Sequence, residues 1–458
     1  MVKTTALTSV DVACRAAIAD ASVRFLISEY IDTTTEWTMD DAASRGFLHL
    51  LQRLHHAQAD DEDICTEAAM DWAASNGHLD VVKWLHGHRK EGCSVVAMDE
   101  AAAEGHIDIV LWLHRHRSEG CSTAAMDNAA GRGDLALVQW LHDHRMEGCS
   151  SAAMEMAAAN GHLTVLRWLH EHRAEGCSTN AMDLAAANGH LNVIEWLDTH
   201  RSEGCSVFAM NAAVRNGHME VVLWLETHRR EGCSDDAMKG AIHMGRVDMV
   251  DFLCDHGYDR LSRAWHIVFA ARTGSLPIVQ RLLAAGSSGH SRVQLGLAME
   301  VAAQHGHMDI LEHLFPLCDC QPAVLDGAAC QGRLDAIKFL HERQQPCTAI
   351  AMDQASERGH LHVVEFLHVN RTEGCTRAAL DRAASNGHGA VVRYLVEEVG
   401  ASCSAYALNG AAAHGYADIV EYLMQRVRGP WRVAEAMRLA TANGHMRVVA
   451  LLLRATAN

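Results

Sequence analysis

The sequence predicts an all-α helical solenoid, and three observations carry that prediction. Fifteen glycines, from Gly46 to Gly444, each follow an alanine-rich stretch, and every step from Gly77 to Gly245 is 28 residues, with the remaining steps between 26 and 32. A regular period of this length is the mark of stacked structural units. The chain has 458 residues, beyond the size at which a single core stops growing, so it must divide or repeat. Its apolar residues make up 49%, yet aromatics are only 5% and prolines number 5. Strands favour aromatic and β-branched residues, whereas alanine, leucine and methionine dominate here.

Each unit reads as two helices. In the unit that starts at Cys177, Ser178 is a suitable N-cap, and Ser94, Ser122, Ser150, Ser206 and Ser234 hold the same place in theirs. Met182, Ala185 and Ala186 follow at i, i+3 and i+4, giving the first helix one small apolar face. Asn188-Gly189-His190 ends it, since glycine accepts the left-handed turn. The second helix sets Val193, Ile194, Trp196 and Leu197 inward and closes on His200-Arg201, cations suited to a helix C-terminus. Neither helix can bury its apolar side alone. Stacking on the units before and after does so.

The pattern divides the chain into a degenerate N-terminal cap at 1–37, a regular array at 38–254, irregular repeats forming a joint at 255–321, and a second array at 322–458. The joint is read from the small, flexible run Ala284 to Gly289 and from Pro316 and Pro322, which bracket Leu317-Cys318-Asp319-Cys320.

Met182, Ala185-Ala186, Gly189-His190, Val193-Ile194 and Trp196-Leu197 resemble the ankyrin repeat family, whose signature runs TPLHxAAxxGHxxVVxLLL. Leu380, Ala383-Ala384, Gly387-His388, Val391-Val392 and Tyr394-Leu395 repeat the likeness, which covers nearly all of the chain. Three departures stand out. Asn180-Ala181 replaces the Thr-Pro pair, Asp183 replaces the family's histidine, and the period falls short of the usual ~33 residues. The missing length lies where family members project a β-hairpin, so a tight Glu-Gly-Cys-Ser turn is expected instead.

Several recurring residues invite a chemical reading. Cys65, Cys93, Cys121, Cys149, Cys177, Cys205 and Cys233 recur with the repeat, preceded by pairs such as His86 and His88. Zinc needs converging ligands at about 2.0–2.3 Å, whereas equivalent residues of stacked helices sit ~8–10 Å apart. Cysteine as a small buried hydrophobe is therefore the first reading. Metal binding or redox sensing by this Cys/His ladder is the alternative, with Cys318 and Cys320 its best candidates. The glycine-following histidines resemble the family's structural histidine. Trp84, Trp112, Trp140, Trp168, Trp196 and Trp224 step by 28 and are expected to pack in the core. Arg117 with Glu119 and Arg145 with Glu147 suggest an ion-pair ladder between units.

No nucleophile–base–acid set, phosphate-cradling loop or HExxH is present, so no enzymatic activity, cofactor or metal is expected. The formal net charge of −18 argues against nucleic acid, and no run of ~18 apolar residues argues for a membrane. Cysteine-rich sequence without a secretory signal fits a cytosolic or nuclear compartment. A monomer is expected.

What varies within a rigid frame is available for recognition. One such set lies in the middle of the first helix: Glu100, Asn128, Met156, Leu184, Ala212, Gly240, Gln354 and Arg382. The other follows the serine cap: Val95-Val96, Thr123-Ala124, Asn180, Val207-Phe208, Asp235-Asp236, Ile350 and Arg377. The resemblance implies that these line a concave groove holding a protein or peptide, which makes the chain an interaction scaffold or adaptor.

Overall fold

The computed structural model describes residues 37–57, 65–258, 263–285 and 291–457. The expected cap at 1–37 lies outside the described residues apart from Trp37, as do Gly286 to Gly289. Among the described residues there are thirty α-helices and no strand. They form fifteen pairs, from α1 (Met39–Ser44) and α2 (Leu48–Ala57) to α29 (Val433–Ala442) and α30 (Met446–Ala457). The pairs match the fifteen glycines one for one, and all of those glycines have positive φ. The chain forms two compact units, one ending at Cys233 and the other beginning at Ser234. The irregular stretch 255–321 keeps the paired-helix pattern through its described residues.

The pair α5 (Val96–Glu104) and α6 (Ile107–His116) shows how the sequence builds a unit. Ser94 Oγ accepts the Val96 N–H at 3.1 Å and satisfies one of the free donors of the first turn. Ala97, Met98, Ala101 and Ala102 from α5 meet Ile109, Val110 and Leu113 from α6, all with 2% exposure or less. Full burial of a side chain such as Met98 stabilises by about 1.5–3 kcal/mol. Within each unit, first helices stack on first helices, because alanine faces allow their backbones to approach closely.

Gly77 closes the first helix of the preceding repeat at φ +79°. A Cβ there would also lie 2.7 Å from Cε1 of His106, whose ring lies on this turn from the next repeat. Glycine is thus required twice, for its dihedral and for the ring above it. His162 on Gly133, His190 on Gly161 and His388 on Gly359 repeat the arrangement.

The tryptophans differ from expectation. Only Trp196 enters the core, at 7% exposure, while Trp84, Trp112, Trp140, Trp168 and Trp224 are half-buried. Ile109, Val110 and Leu113 already fill the inner side of α6, so Trp112 points towards the neighbouring second helix. There His86 of the preceding repeat meets it edge-on at 5.2 Å and 86°, and His116 stacks on it at 4.5 Å and 13°. The same edge-and-stack sequence recurs at Trp140, Trp168 and Trp196.

The arginine–glutamate pairs also differ from the expected ladder between units. Arg117 pairs with Glu119 inside one connecting loop, as do Arg145 with Glu147 and Arg173 with Glu175. What crosses between repeats is a second arm of the guanidinium: Arg117 Nη1 lies 3.4 Å from His86 Nδ1. The Arg173 hydrogen bond holds the Glu175 carboxyl below its ordinary range despite partial burial.

Candidate interaction surface

The frame that positions the exposed residues is a repeated carboxylate clamp. Asp71 accepts the Ser94 backbone N–H at 2.8 Å and the Ser94 hydroxyl at 2.6 Å, from 23 residues further on. Asp99 holds Ser122 in the same way, Asp127 holds Ser150, and Asp183 holds Ser206. In the second unit Asp326 holds Thr348, Asp353 holds Thr376, and Asp381 holds Ser404. Each hydroxyl oxygen also accepts an N–H at the start of its own helix, as Ser206 does from Phe208 at 3.1 Å. One side chain therefore caps a helix and ties it to the preceding repeat. Burial raises the Asp71 carboxyl above its ordinary value, against the lowering effect of the Ser94 bonds. Asp183, noted in the sequence as a departure from the family's histidine, thereby gains a physical role.

Beside the clamps run the residues singled out in the sequence. Val95, Val96 and Phe208 are exposed at 38%, 43% and 44% at the starts of their first helices. Glu100, Asn128, Leu184 and Gln354 are half-buried one turn later. Met156 is half-buried over Gly131 of the preceding repeat, where a Cβ would lie 2.8 Å from its methyl carbon. Asn180 is exposed and donates to Glu155 at 3.4 Å. Arg377 is exposed, whereas Arg382 reaches back to Glu357 at 2.6 Å. Asp235 is engaged twice, by Lys239 and by the buried His266, each at 2.7 Å. Ala212 and Gly240 are buried and leave the surface. Trp72, 46% exposed, was not singled out, although it stands five residues before Gly77, in the register of Glu100 before Gly105. Tyr406, 77% exposed, was also passed over two residues after the Ser404 cap, in the register of Val96.

The cysteines face inward. Cys65, Cys93, Cys121, Cys149 and Cys205 are buried, and burial pushes each thiol up to about 11. A thiol held protonated is a poor nucleophile and metal ligand. Among the described residues no group of three or more His, Cys, Asp or Glu is placed to hold a metal ion. Cys318 and Cys320 each donate to a nearby carbonyl at 3.7 Å, and burial raises both thiols. None of this favours a metal or redox role for the ladder.

Paired helices stacked in register define the class, a helical-repeat protein. Family models described as ankyrin repeats match residues 39–127 and 325–407 in one form, three copies, and residues 154–197 in another, many copies. These matches support an ankyrin-like repeat family, with repeats of 28 residues over the regular part of the chain. No curated protein sequence matches it. Among solved structures it is similar to the pentatricopeptide repeat protein PPR10 in complex with an 18-nt psaJ RNA element, at 12% identity and a TM-score of 0.42, covering 98% of this chain and 78% of that one. PPR10 from maize gives 9% identity and a TM-score of 0.33, covering 94% and 82%.

One expectation is corrected here. The acidic net charge was read as excluding nucleic acid, yet two of the similar solved structures, both helical-repeat proteins, are in complex with RNA. Net charge is a sum over the whole chain and does not report the charge of one local surface, so that exclusion is withdrawn. Among the described residues no helix is long and apolar enough to cross a membrane.

Proposed function

We propose that the chain is an interaction scaffold whose first-helix faces, concave as in other ankyrin arrays, bind a protein or peptide segment. The observation that carries this reading is the placement of Val95, Val96, Val207 and Phe208, exposed apolar side chains on helix starts pinned by the Asp–Ser clamps. Such anchors keep their positions without a partner, which limits the ordering cost of binding. Glu100, Asn128, Asn180 and Leu184 supply the polar and apolar surroundings in the first unit, and Gln354 and Arg377 hold the same registers in the second. No catalytic step is proposed, because the deeply buried carboxylates Asp71, Asp99, Asp127 and Asp183 are all bonded to serines. A reducing compartment, cytosolic or nuclear, suits an array of free thiols. Proximity labelling with the parent chain and with Val96→Glu/Phe208→Glu tests the reading. Loss of a defined set of labelled proteins supports it, and an unchanged set of equal intensity removes it.

A further inference from the structure

The interface between α27 (Ala405–Ala413) and α29 departs from its neighbours at the clamp. Position 409 is asparagine where Asp353 and Asp381 stand in the two preceding repeats. Position 432, 23 residues on, is arginine where Thr376 and Ser404 stand. Two consequences follow. The Asn409 Oδ1 atom is buried and has no hydrogen-bond partner. α29 begins at Val433, and its N-cap residue Arg432 gives no side-chain cap. Glu300, in the same register of another repeat, is by contrast bonded to Gln304 at 3.0 Å.

At this place lies a cavity of about 770 Å³, lined by Tyr406, Asn409, Gly410, Arg432, Glu435 and Leu439 among others. Gly410 also lines it. Glu435 is engaged by Arg438 at 3.0 and 2.7 Å, which offsets its charge. The Arg432 side chain forms no cap bond and is exposed, with its charge acting on Glu435, so the cavity holds an unmet acceptor beside an accessible cation. A buried acceptor without a donor carries a desolvation penalty of about 1–3 kcal/mol that a ligand donor would relieve.

We propose that this cavity binds the carboxyl terminus of a partner polypeptide. The last peptide N–H donates to Asn409 Oδ1, as the Ser404 N–H does to Asp381 one repeat earlier. The terminal carboxylate pairs with the Arg432 guanidinium, a geometry that admits two parallel hydrogen bonds. The final side chain lies against Tyr406 and Leu439. A carboxyl terminus presents a donor and an anion in adjacent groups, which is the pairing this cavity lacks. A phosphomonoester dianion presents acceptors only and leaves Asn409 unmet. The inference rests on the first-helix face being the binding face and names the chemistry at one point of it.

The test pans a display library of random peptides with free carboxyl termini against the full chain. An enriched peptide is then synthesised as the carboxylate and as the carboxamide. The carboxylate is expected to bind at least about tenfold more tightly, the effect of losing one charge-assisted contact. Asn409→Asp/Arg432→Ser restores the Asp–Ser pair at its 23-residue spacing, so this variant is expected to fold, to unfold at a higher temperature, and to lose the peptide. No enrichment, equal binding of the carboxamide, or undiminished binding by the restored variant overturns the proposal. Binding that survives this double substitution but is lost with Val96→Glu/Phe208→Glu removes the cavity and leaves the wider surface standing.

Discussion

The carboxylate of Asp99 receives both the backbone N–H and the hydroxyl of Ser122, at 2.8 and 2.6 Å, across the boundary between two repeats. Removing it strands a buried N–H and unties a helix start. Asp99→Ala is expected to lower stability by about 2–3 kcal/mol, since hydrogen bonds to charged groups each contribute about 1.5–3. Glu100→Ala, next in sequence and half-buried, should change it by no more than ~0.5 kcal/mol. Urea unfolding of the two variants side by side measures the difference.

Gly77→Ala strains the chain twice, through its φ of +79° and through the His106 ring 2.7 Å from the new Cβ. The dihedral strain alone costs about 1–2 kcal/mol. The steric share should vanish in Gly77→Ala/His106→Ala, while the dihedral share remains. A double-mutant cycle on thermal unfolding separates them. Additive effects would show that the ring does not press on this turn.

Alkaline pH should loosen the first unit. Burial pushes the thiols of Cys93, Cys121 and Cys149 from 9.0 to about 11. A raised value favours the protonated form in the folded chain. Its stabilisation is complete below the unfolded value and is lost as pH rises through the folded one. The melting temperature should therefore fall from pH 9 towards pH 11, and Cys93→Ala/Cys121→Ala/Cys149→Ala should flatten that fall.

Mild acid acts on a different group. Burial, followed by Arg145, His144 and Arg115, lowers the His114 imidazole below its ordinary 6.5. A depressed value favours the neutral ring, so its stabilisation is present above 6.5 and declines as pH falls through the folded value. His114→Phe keeps an aromatic edge against Trp140 and should remove this part of the acid sensitivity. Melting curves at neutral and mildly acidic pH check it.

Much of this architecture is legible in the sequence because the repeat prints the same physics many times. Positive-φ glycines, serine caps and the alanine face each follow from local stereochemistry, and each stands at a fixed offset from its glycine. The partner of Asp183 is not legible, because a carboxylate on one face of a helix carries no sign of which later hydroxyl will reach it. The tryptophans were misplaced for a related reason. Family equivalence gave the position of Trp112 on its helix, but the filling of the inner side by Ile109, Val110 and Leu113 decided its direction. Trp72 and Tyr406 were available from register alone. The withdrawn exclusion of nucleic acid came from treating a total charge as if it were a surface.

The clamp also has a direction. In each pair the acceptor, such as Asp71, is synthesised before its donor, such as Ser94, and the glycine seat before the ring that covers it. A chain leaving the ribosome therefore always presents a prepared edge to the segment that follows, and each new repeat can dock without waiting for sequence still to come. Truncation is correspondingly unequal at the two ends. Cutting from the C-terminal side leaves a half-made socket with an unmet carboxylate, whereas cutting from the N-terminal side leaves a serine that still caps its own helix.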